Sequence, residues 1–359
     1  MIMAGGAGTR LWPMSRQAMP KQLVPFIQGR SLLEIAADRL EGIVPEDRRY
    51  ICTNERYREP ILSSLPGFTD DRLIGEPALR DTVNAVGLAA CVVAKRDPEA
   101  VFAVFTADHL IRPADVFQRC VDLAFTLAEE DPSRLVTFSI KPTFPATGFG
   151  YVHRSAPIDN HHGAFHVERY VEKPDLETAQ RYLDSGDFGW NSGMFVWRAQ
   201  TILDAIGAYL PESRAGLDTI AAAWDTPDQQ RVLGEVYPTL PKTSIDYAVM
   251  EPASTDDRFS VCTVLTDVEW LDVGSWPSFA DTLEPDERNN RQSLIDGAHA
   301  TLCDCSNTLV ASSDPDHHIA VLGADSLIIV HTRQATLVMP RDHAQRLKDI
   351  HAMLPDELK

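Results

Sequence analysis

The sequence predicts an α/β protein with a doubly wound, mostly parallel sheet, followed by a small β-rich domain. Three observations support this prediction. Short apolar runs alternate with helical patterns in the first part of the chain, one of these runs is apolar throughout, and short β-type runs replace the helices after residue 283. With 359 residues, the chain is long enough for one large and one small domain.

The first strand is predicted at residues 1–4, and Ser31 and Glu34 form a capping box that begins a helix to about Leu40. The run Val101–Thr106 is continuously apolar, which is typical of a central parallel strand covered on both faces. This alternation of elements predicts Rossmann-like winding with right-handed crossovers. The other predicted elements are strand 50–53, helix 55–65, strand 73–75, helix 81–96, helix 114–129 and strand 135–140.

Three polar segments directly follow predicted strands: the glycine-rich turn 5–8, Glu76 with Pro77, and Asp108. Ligands of open α/β sheets bind at the carboxyl ends of the strands, so we expect these segments to share one rim. Residues 151–270 alternate less regularly and are expected to form the other wall of the cleft.

The composition changes after Leu283, which predicts a larger domain 1–283 and a β-rich, β-helix-like domain 284–359. A helix at about 342–353 should close the second domain. Its strands are expected at 300–303, 308–311, 319–322, 327–331 and 335–338.

The formal net charge of -19 argues against a general affinity for nucleic acid or for anionic membranes. No apolar run approaches the length of a membrane span, and the N-terminus lacks the pattern of a signal peptide. Most of the six cysteines lie in apolar runs, which indicates reduced thiols and predicts a cytoplasmic location.

The N-terminal segment has the opposite charge, because four cations precede the first acidic residue, Glu34. These cations are Arg10, Arg16, Lys21 and Arg30. A glycine-rich turn lets backbone N–H groups approach phosphate oxygens, and nearby cations neutralise them. The segment therefore predicts a nucleotide or phosphate site.

The glycines alone are a weak signal. The turn Gly5-Gly6-Ala7-Gly8 lacks the Lys-Ser/Thr ending of a P-loop and does not fit the dinucleotide fingerprint. The cations that follow it, in Thr9-Arg10-Leu11-Trp12-Pro13-Met14-Ser15-Arg16 and Pro20-Lys21-Gln22, are spaced by prolines and would be costly to desolvate without an anion. This combination favours a polyphosphate ligand.

These motifs resemble the signature of the sugar-1-phosphate nucleotidyltransferases and, more narrowly, of the mannose-1-phosphate guanylyltransferases. The resemblance runs from about residue 3 to residue 276. It is also carried by Gly75-Glu76-Pro77 with Arg80-Asp81-Thr82, Thr106-Ala107-Asp108-His109, Thr147-Gly148-Phe149-Gly150-Tyr151, Glu172-Lys173-Pro174-Asp175, Trp190-Asn191-Ser192-Gly193-Met194-Phe195, Ser244-Ile245-Asp246-Tyr247-Ala248-Val249-Met250-Glu251 and Trp270-Leu271-Asp272-Val273-Gly274-Ser275-Trp276.

The resemblance implies transfer of GMP from GTP to α-D-mannose 1-phosphate, with Mg²⁺ as cofactor. The implied roles are nucleotide binding by Gly5, Gly6, Gly8, Glu76, Pro77, Arg80 and Thr82; catalysis by Arg10 at the pyrophosphate and Lys21 at the attacked phosphate; metal binding by Asp108 and Asp272; and sugar-phosphate binding by Gly148, Glu172, Lys173 and Asn191.

This chemistry needs no catalytic base, because the attacking phosphate oxygen is already ionised near neutral pH. Alignment and charge neutralisation at the α-phosphate would supply the rate. Two carboxylates suit Mg²⁺, and the carboxylate of Glu76 can accept hydrogen bonds from guanine.

The chain departs from the family at the first strand, which is shorter, and at Val83-Asn84, which replaces an expected Ala-Pro. It has no room for the isomerase domain of bifunctional relatives, so we predict a single activity. The β-rich domain could form a homodimer.

Three alternatives remain open. The same chemistry could act on a heptose 1-phosphate with GTP, or on a hexose 1-phosphate with another NTP. An inactive regulatory protein that binds sugar nucleotides would often lack Lys21, Asp108 or Asp272, all of which are present. A dehydrogenase would need an acidic residue about twenty positions beyond the glycines, where Lys21-Gln22-Leu23 stand.

Overall fold

A computed structural model describes residues 1–6, 8–25, 27 and 29–359 of the chain. Ala7 of the glycine-rich turn therefore lies outside the described residues. The strands are β1 (Ile2–Met3), β2 (Ile51–Asn54), β3 (Leu73–Glu76), β4 (Val101–Thr106), β5 (His109–Arg112), β6 (Arg134–Ile140), β7 (Tyr151–Pro157), β8 (Ala164–Val171), β9 (Phe188–Arg198), β10 (Ser260–Thr266), β11 (Glu269–Asp272), β12 (Arg291–Leu294), β13 (His299–Cys303), β14 (Leu309–Ser312), β15 (His318–Leu322), β16 (Leu327–Thr332) and β17 (Ala335–Pro340).

The α-helices agree closely with the predicted ones in the first part of the chain. The capping box at Ser31 and Glu34 is present, with both reciprocal hydrogen bonds formed. The helices are α1 (Leu32–Asp38), α2 (Arg58–Ser64), α3 (Asp81–Arg96), α4 (Ala114–Glu130), α5 (Leu176–Ser185), α6 (Ala199–Tyr209), α7 (Pro211–Ala223), α8 (Gln229–Val236), α9 (Glu251–Ala253), α10 (Trp276–Ala280) and α11 (Leu347–Met353).

The large sheet of the described chain has the strand order β3-β2-β1-β4-β9-β6-β10-β8-β7. Strands β3, β2, β1 and β4 are parallel neighbours, as are β6 and β10. The predicted α/β fold is confirmed and most strands of this sheet run in the same direction, but two strands run the opposite way and make the sheet mixed. Strand β9 lies antiparallel between β4 and β6, and β8 is antiparallel to both of its neighbours.

The central strand β4 is buried on both faces, as its apolar run predicted. Ala103 and Phe105 pack into a core with α1, α2 and α4, whereas Phe102 and Val104 pack into a second core with α3, α6 and α7. Helices therefore cover both faces of the sheet, which is the doubly wound arrangement.

The C-terminal part is β-rich. Strands β12, β14 and β16 pair in parallel, β17 completes this sheet in antiparallel orientation, and β13 pairs with β15. Strand β12 is additional to the strands predicted for this part. A single hydrophobic core joins Leu309 and Val330 of this part to Leu11, Trp12 and Trp276 of the larger part. The division at residue 283 stays a prediction.

Candidate active site

A cavity of about 450 Å³ opens where β1, β3 and β4 end, opposite the irregular middle of β9. Its second wall comes from segments within 148–193 and from β11, as predicted for the region 151–270. The volume is in the range of sites that enclose a small ligand. Nine of the predicted site residues line it: Gly5, Gly6, Glu76, Thr82, Asp108, Gly148, Glu172, Asn191 and Asp272.

The other six predicted residues do not line the cavity: Gly8, Arg10, Lys21, Pro77, Arg80 and Lys173. Lys21 contacts Asp108, and Lys173 contacts Glu172. Gly8 packs on Lys21, where a Cβ atom would come within 2.9 Å of the lysine Cβ. Gly8 also has a φ of +62°, so a side chain there would displace Lys21 and strain the backbone.

The ammonium of Lys21 is buried next to the carboxylate of Asp108. Its Nζ donates to Asp108 Oδ2 at 2.6 Å and to the carbonyl oxygen of Val273 at 3.4 Å. A buried cation of this kind is stable only beside an anion. Lys21 therefore delivers positive charge to the rim of the cavity.

Asp108 and Asp272 are far apart in sequence and are brought together by a two-stranded sheet. Strand β5 begins immediately after Asp108 and pairs antiparallel with β11, so that Asp272 lies opposite His109. Val273 N–H also donates to the carbonyl oxygen of Asp108 at 3.0 Å. The register of this small sheet creates the predicted carboxylate pair.

The two carboxylates have opposite pKa shifts. Burial raises the pKa of Asp108, but the positive charge of Lys21 and the contact with His109 outweigh it and hold that pKa well below its ordinary value. Burial and the negative charge of Asp108 raise the pKa of Asp272. Burial and the charge of Lys21 thus act in opposite directions at Asp108, whereas burial and the neighbouring carboxylate both disfavour the charged form of Asp272.

His109 is a member of this cluster that was quoted in a motif but given no role. Ligand atoms of Asp108, His109 and Asp272 all lie within 4.8 Å of one another. The Nδ1 atom of His109 accepts from Trp270 Nε1 at 3.2 Å and is 2.6 Å from Thr106 Oγ1. An indole N–H can only donate, so in the neutral imidazole the proton is on Nε2, which lies 3.9 Å from Asp108 Oδ1.

The donor set fits a magnesium ion held by the two aspartates. Carboxylate oxygens are the protein ligands that Mg²⁺ prefers, and a pair of neighbouring carboxylates gains from a divalent cation. His109 presents an N–H group to this site rather than a lone pair, so the lone pairs of this cluster that a metal ion could use are those of Asp108 and Asp272.

Glu76 ends β3 inside the cavity and is almost fully buried. Burial raises its pKa to about 7, although the hydrogen bond from Tyr237 lowers it in part. The Tyr237 hydroxyl donates to Glu76 Oε1 at 2.5 Å. Tyr237 was not singled out from the sequence, because an isolated tyrosine in a helical region carries no motif.

The residues after Glu76 differ in their exposure to the cavity. Pro77 is exposed and Arg80 is half-buried, and neither lines it. Thr82 does line it, and its Oγ1 accepts from the N–H of Ile245 at 2.8 Å. Asn84, which departs from the family's expected proline, donates to the carbonyl oxygen of Pro241 at 2.6 Å. This hydrogen bond connects α3 to the segment that contains Pro241.

The far wall carries the predicted sugar-binding residues. Lys173 Nζ donates to Glu172 Oε1 at 2.5 Å, while Glu172 Oε2 is buried with no partner within the described chain. Asn191 is buried at the point where β9 loses register with β6, and Gly148 is exposed beside it. Lys242 also lines the cavity and was missed, since one lysine in a polar segment is an ordinary surface feature.

The cations of the N-terminal segment do not all face the cavity. Arg10 is exposed, and one of its Nη atoms lies 3.5 Å from Gln345 Oε1. Arg16 instead binds the β-rich part through Thr332 at 3.3 Å and through Gln334, and Arg30 pairs with Asp38. The expectation that all these cations face an anionic ligand is therefore wrong for Arg16 and Arg30, whose neighbours are protein groups.

Within the described chain, the helices are all too short or too polar to cross a membrane.

Comparisons with known proteins agree with the geometry. A model of the nucleotidyl transferase family matches residues 1–289, and a MannoseP isomerase/GMP-like beta-helix domain matches residues 299–354. The chain is 36% identical to the xanthan biosynthesis protein XanB of Xanthomonas campestris pv. campestris (strain B100), over 98% of this chain and 72% of that protein. It is 35% identical to a mannose-1-phosphate guanylyltransferase of Klebsiella pneumoniae, over 97% of this chain and 72% of that protein.

A solved structure supports the fold along the whole chain. A crystal structure described as mannose-1-phosphate geranyltransferase from Thermus thermophilus matches with a TM-score of 0.85 and 29% identity, covering 98% of this chain and 97% of that one. The family model covers most of the chain and the relatives align along nearly all of it, so the chain belongs to the nucleotidyl transferase family.

Proposed function

We propose that this protein transfers GMP from GTP to α-D-mannose 1-phosphate and releases pyrophosphate. The observation that carries the proposal is the convergence of Lys21, Asp108 and Asp272 beside the glycine-rich turn. The family match and the activity named for the Klebsiella pneumoniae relative support the same reaction.

The nucleotide would lie along the rim formed by the ends of β1 and β3. Gly5 and Gly6 leave space for the phosphates, since within the described chain no heavy atom beyond their sequence neighbours lies within 4 Å of where a Cβ would be. Glu76 would accept hydrogen bonds from N1–H and the amine of guanine, which adenine cannot donate in the same pattern. Thr82 lines the same wall, whereas Pro77 and Arg80 would support it from outside the cavity.

The sugar phosphate would lie against the opposite wall. Glu172 Oε2 is a buried acceptor without a partner in the described structure, which suits a sugar hydroxyl donor. Asn191 and Gly148 border the same space, and Lys173, which is paired with Glu172, would bind the sugar's phosphate.

The reaction is an in-line displacement at the α-phosphorus of GTP. An oxygen of the mannose 1-phosphate attacks, and the bond to the pyrophosphate oxygen breaks. Lys21 would neutralise charge at the attacked phosphate, and Arg10 would stabilise the departing pyrophosphate. No proton needs to be removed from the nucleophile.

Asp108 and Asp272 would hold Mg²⁺, which supplies charge neutralisation at the phosphate oxygens when bound. The ammonium of Lys21 adds positive charge at the same place, because it is paired with Asp108. A cytoplasmic location and homodimerisation through the β-rich part belong to the same proposal. The free cysteines support the cytoplasmic location. The exposed apolar side chains of Leu322 and Val338 in the β-rich part support homodimerisation.

A substrate panel tests the proposal. Purified protein is incubated with Mg²⁺, each of four NTPs and a set of sugar 1-phosphates that includes mannose, glucose and heptose derivatives. Coupled detection of pyrophosphate should give the highest kcat/KM for GTP with mannose 1-phosphate. Preference for a heptose 1-phosphate or another NTP would select the corresponding alternative, and no release from any pair would favour the inactive regulatory protein.

A further inference from the structure

The segment Ser244–Glu251 was singled out in the sequence, yet the proposed reaction gives it no role. Residues Asp246–Met250 form a single π-helical turn, a local feature that is frequently found at functional sites. The turn is fastened to the start of α3, because Ile245 N–H donates to Thr82 Oγ1 at 2.8 Å and Val83 N–H donates to the carbonyl oxygen of Thr243 at 3.4 Å. Asp246 is thus held at a fixed place behind the cavity wall.

The carboxylate of Asp246 binds two side chains from other strands. Its Oδ1 accepts from the hydroxyl of Tyr170 at 2.6 Å and from Nδ2 of Asn191 at 2.8 Å. Both contacts connect residues that are far apart in sequence, and both donors are buried. The carboxylate therefore joins β8, β9 and the π turn at one oxygen atom.

The amide of Asn191 has little freedom left after these contacts. Its Oδ1 accepts from the N–H of Gly193 at 3.1 Å, and it is also 3.3 Å from Thr137 Oγ1, which shares its single proton with the carbonyl oxygen of Met194 at 3.2 Å. A carboxamide has two acceptor sites and two N–H donors, so only one N–H remains for a ligand. A flipped amide would set its oxygen against the Asp246 carboxylate and its NH₂ group against the N–H of Gly193.

The remaining N–H group lies on the same wall as a buried acceptor. A Cβ added to Gly150 would be 2.3 Å from Glu172 Oε2 and 3.5 Å from Asn191 Nδ2, so both atoms lie against Gly150. A sugar hydroxyl between them can donate to Glu172 and accept from Asn191. In a sugar epimer, the hydroxyl on the same ring carbon points the other way. Glu172 Oε2 and the free N–H of Asn191 would then both be buried without a hydrogen-bond partner, which is costly.

We propose that Asp246 is a positioning residue for sugar recognition, because it holds the Asn191 amide so that only a donor faces the sugar. Asp246 itself does not line the cavity and acts through Asn191. This inference rests on the proposed function, in which the cavity holds a sugar 1-phosphate. It adds a determinant of selectivity between sugar epimers.

The test compares Asp246→Ala with two controls on mannose 1-phosphate and on its C2 epimer, glucose 1-phosphate. Asp246→Ala should raise KM for mannose 1-phosphate about tenfold and lower the ratio of the two kcat/KM values at least about fivefold. The KM for GTP should stay within about twofold. Asp246→Asn keeps an oxygen acceptor and should stay within about threefold of the parent in both quantities.

Tyr170→Phe is the matched control, since it removes the other hydrogen bond to the same oxygen and leaves the Asn191 contact. It should keep the parent's epimer ratio. The proposal is overturned if Asp246→Ala keeps that ratio, or if Tyr170→Phe lowers it equally. If Asp246→Ala does not fold, Asp246→Ser replaces it under the same criteria.

The parent protein is measured first, so failure of the proposed function is visible separately. If the parent does not use mannose 1-phosphate, the proposed function is wrong. The same variants are then compared on the sugar 1-phosphate that the parent does use and on its C2 epimer, where an unchanged ratio would overturn the role of Asp246.

Discussion

The ammonium of Lys21 lies 2.6 Å from the carboxylate of Asp108, which is 87 positions later in the chain. The pair joins the N-terminal loop, which carries the cations, to the end of the central strand β4. Asp108 would hold Mg²⁺ together with Asp272, and Lys21 at the same carboxylate places a second positive charge beside the phosphate site.

Replacing Lys21 by methionine should lower kcat about a hundredfold, because the charge at the attacked phosphate is lost. The KM for mannose 1-phosphate should stay within about twofold, since the lysine is assigned to the nucleotide. Steady-state kinetics with pyrophosphate detection measure both values. The exposed Lys348 provides the control substitution to methionine. A change confined to the sugar-phosphate KM would contradict the assigned role.

Asp108→Asn and Asp272→Asn should each weaken Mn²⁺ binding at least about tenfold and lower kcat about a thousandfold. The reason is that each carboxylate supplies an oxygen to the same ion. Binding is followed by the loss of the free Mn²⁺ signal in electron paramagnetic resonance. Asp115→Asn, which removes an exposed carboxylate paired with Arg119, should change neither quantity. Normal Mn²⁺ affinity in both site variants would exclude the carboxylate pair as the metal site.

The raised pKa of Glu76 predicts pH-dependent use of GTP. Since burial raises this pKa to about 7, the carboxylate becomes protonated as the pH falls below that value and loses an acceptor for guanine. The KM for GTP should therefore rise between pH 8 and about pH 6 in the parent. Glu76→Gln should show a higher but flat KM over this range. Parallel profiles for the two proteins would argue against Glu76 as the guanine acceptor.

The same pKa affects stability with a defined sign. The folded protein binds the Glu76 proton more tightly than the unfolded chain, whose pKa is near 4.5. Stability from this group is present below pH 4.5 and is lost as the pH rises through 7. Glu76→Gln should therefore have a higher melting temperature than the parent at pH 8. The difference between the two melting temperatures should decrease toward pH 5. Thermal melts over this range in one buffer series are sufficient to check the trend.

The two arginines of the N-terminal segment should respond differently to substitution. Arg10→Gln should lower kcat about tenfold or more, because Arg10 is assigned to the departing pyrophosphate. Arg16→Gln should leave kcat within about threefold and lower the melting temperature by a few degrees, since Arg16 binds the carbonyl oxygen of Pro13 and the β-rich part. Kinetics and thermal melts on the same samples separate the effects. A loss of kcat in Arg16→Gln equal to that in Arg10→Gln would overturn this distinction.

Much of the fold could be predicted because local signals agree with it. The capping box at Ser31, the apolar run of β4 and the bounds of α3 are short-range features, and the structure confirms them. The resemblance drawn from the ordered motifs is also confirmed by the family match. The direction of β9 could not be predicted, because its apolar pattern fits a parallel and an antiparallel strand equally well.

The site was predicted less completely than the fold, because its geometry depends on contacts between residues that are far apart in the sequence. The carboxylate pair depends on the register between β5 and β11, which the composition of two four-residue strands does not define. The orientation of Arg16 depends on Thr332 and Gln334, more than 300 positions later. Tyr237 and Lys242 belong to the site only through packing, so no local pattern distinguishes them. His109 is part of a quoted motif, but its contact with Trp270 depends on a residue 161 positions away.

The most direct measurement uses GTP labelled at the α-phosphorus together with mannose 1-phosphate and Mg²⁺. If the reaction is attack on the α-phosphorus, the label appears in GDP-mannose and unlabelled pyrophosphate is released in equal amount. Asp108→Asn should remove both products together. Label that stays in GTP, or that appears as free GMP with mannose 1-phosphate unconsumed, would contradict nucleotidyl transfer by this protein.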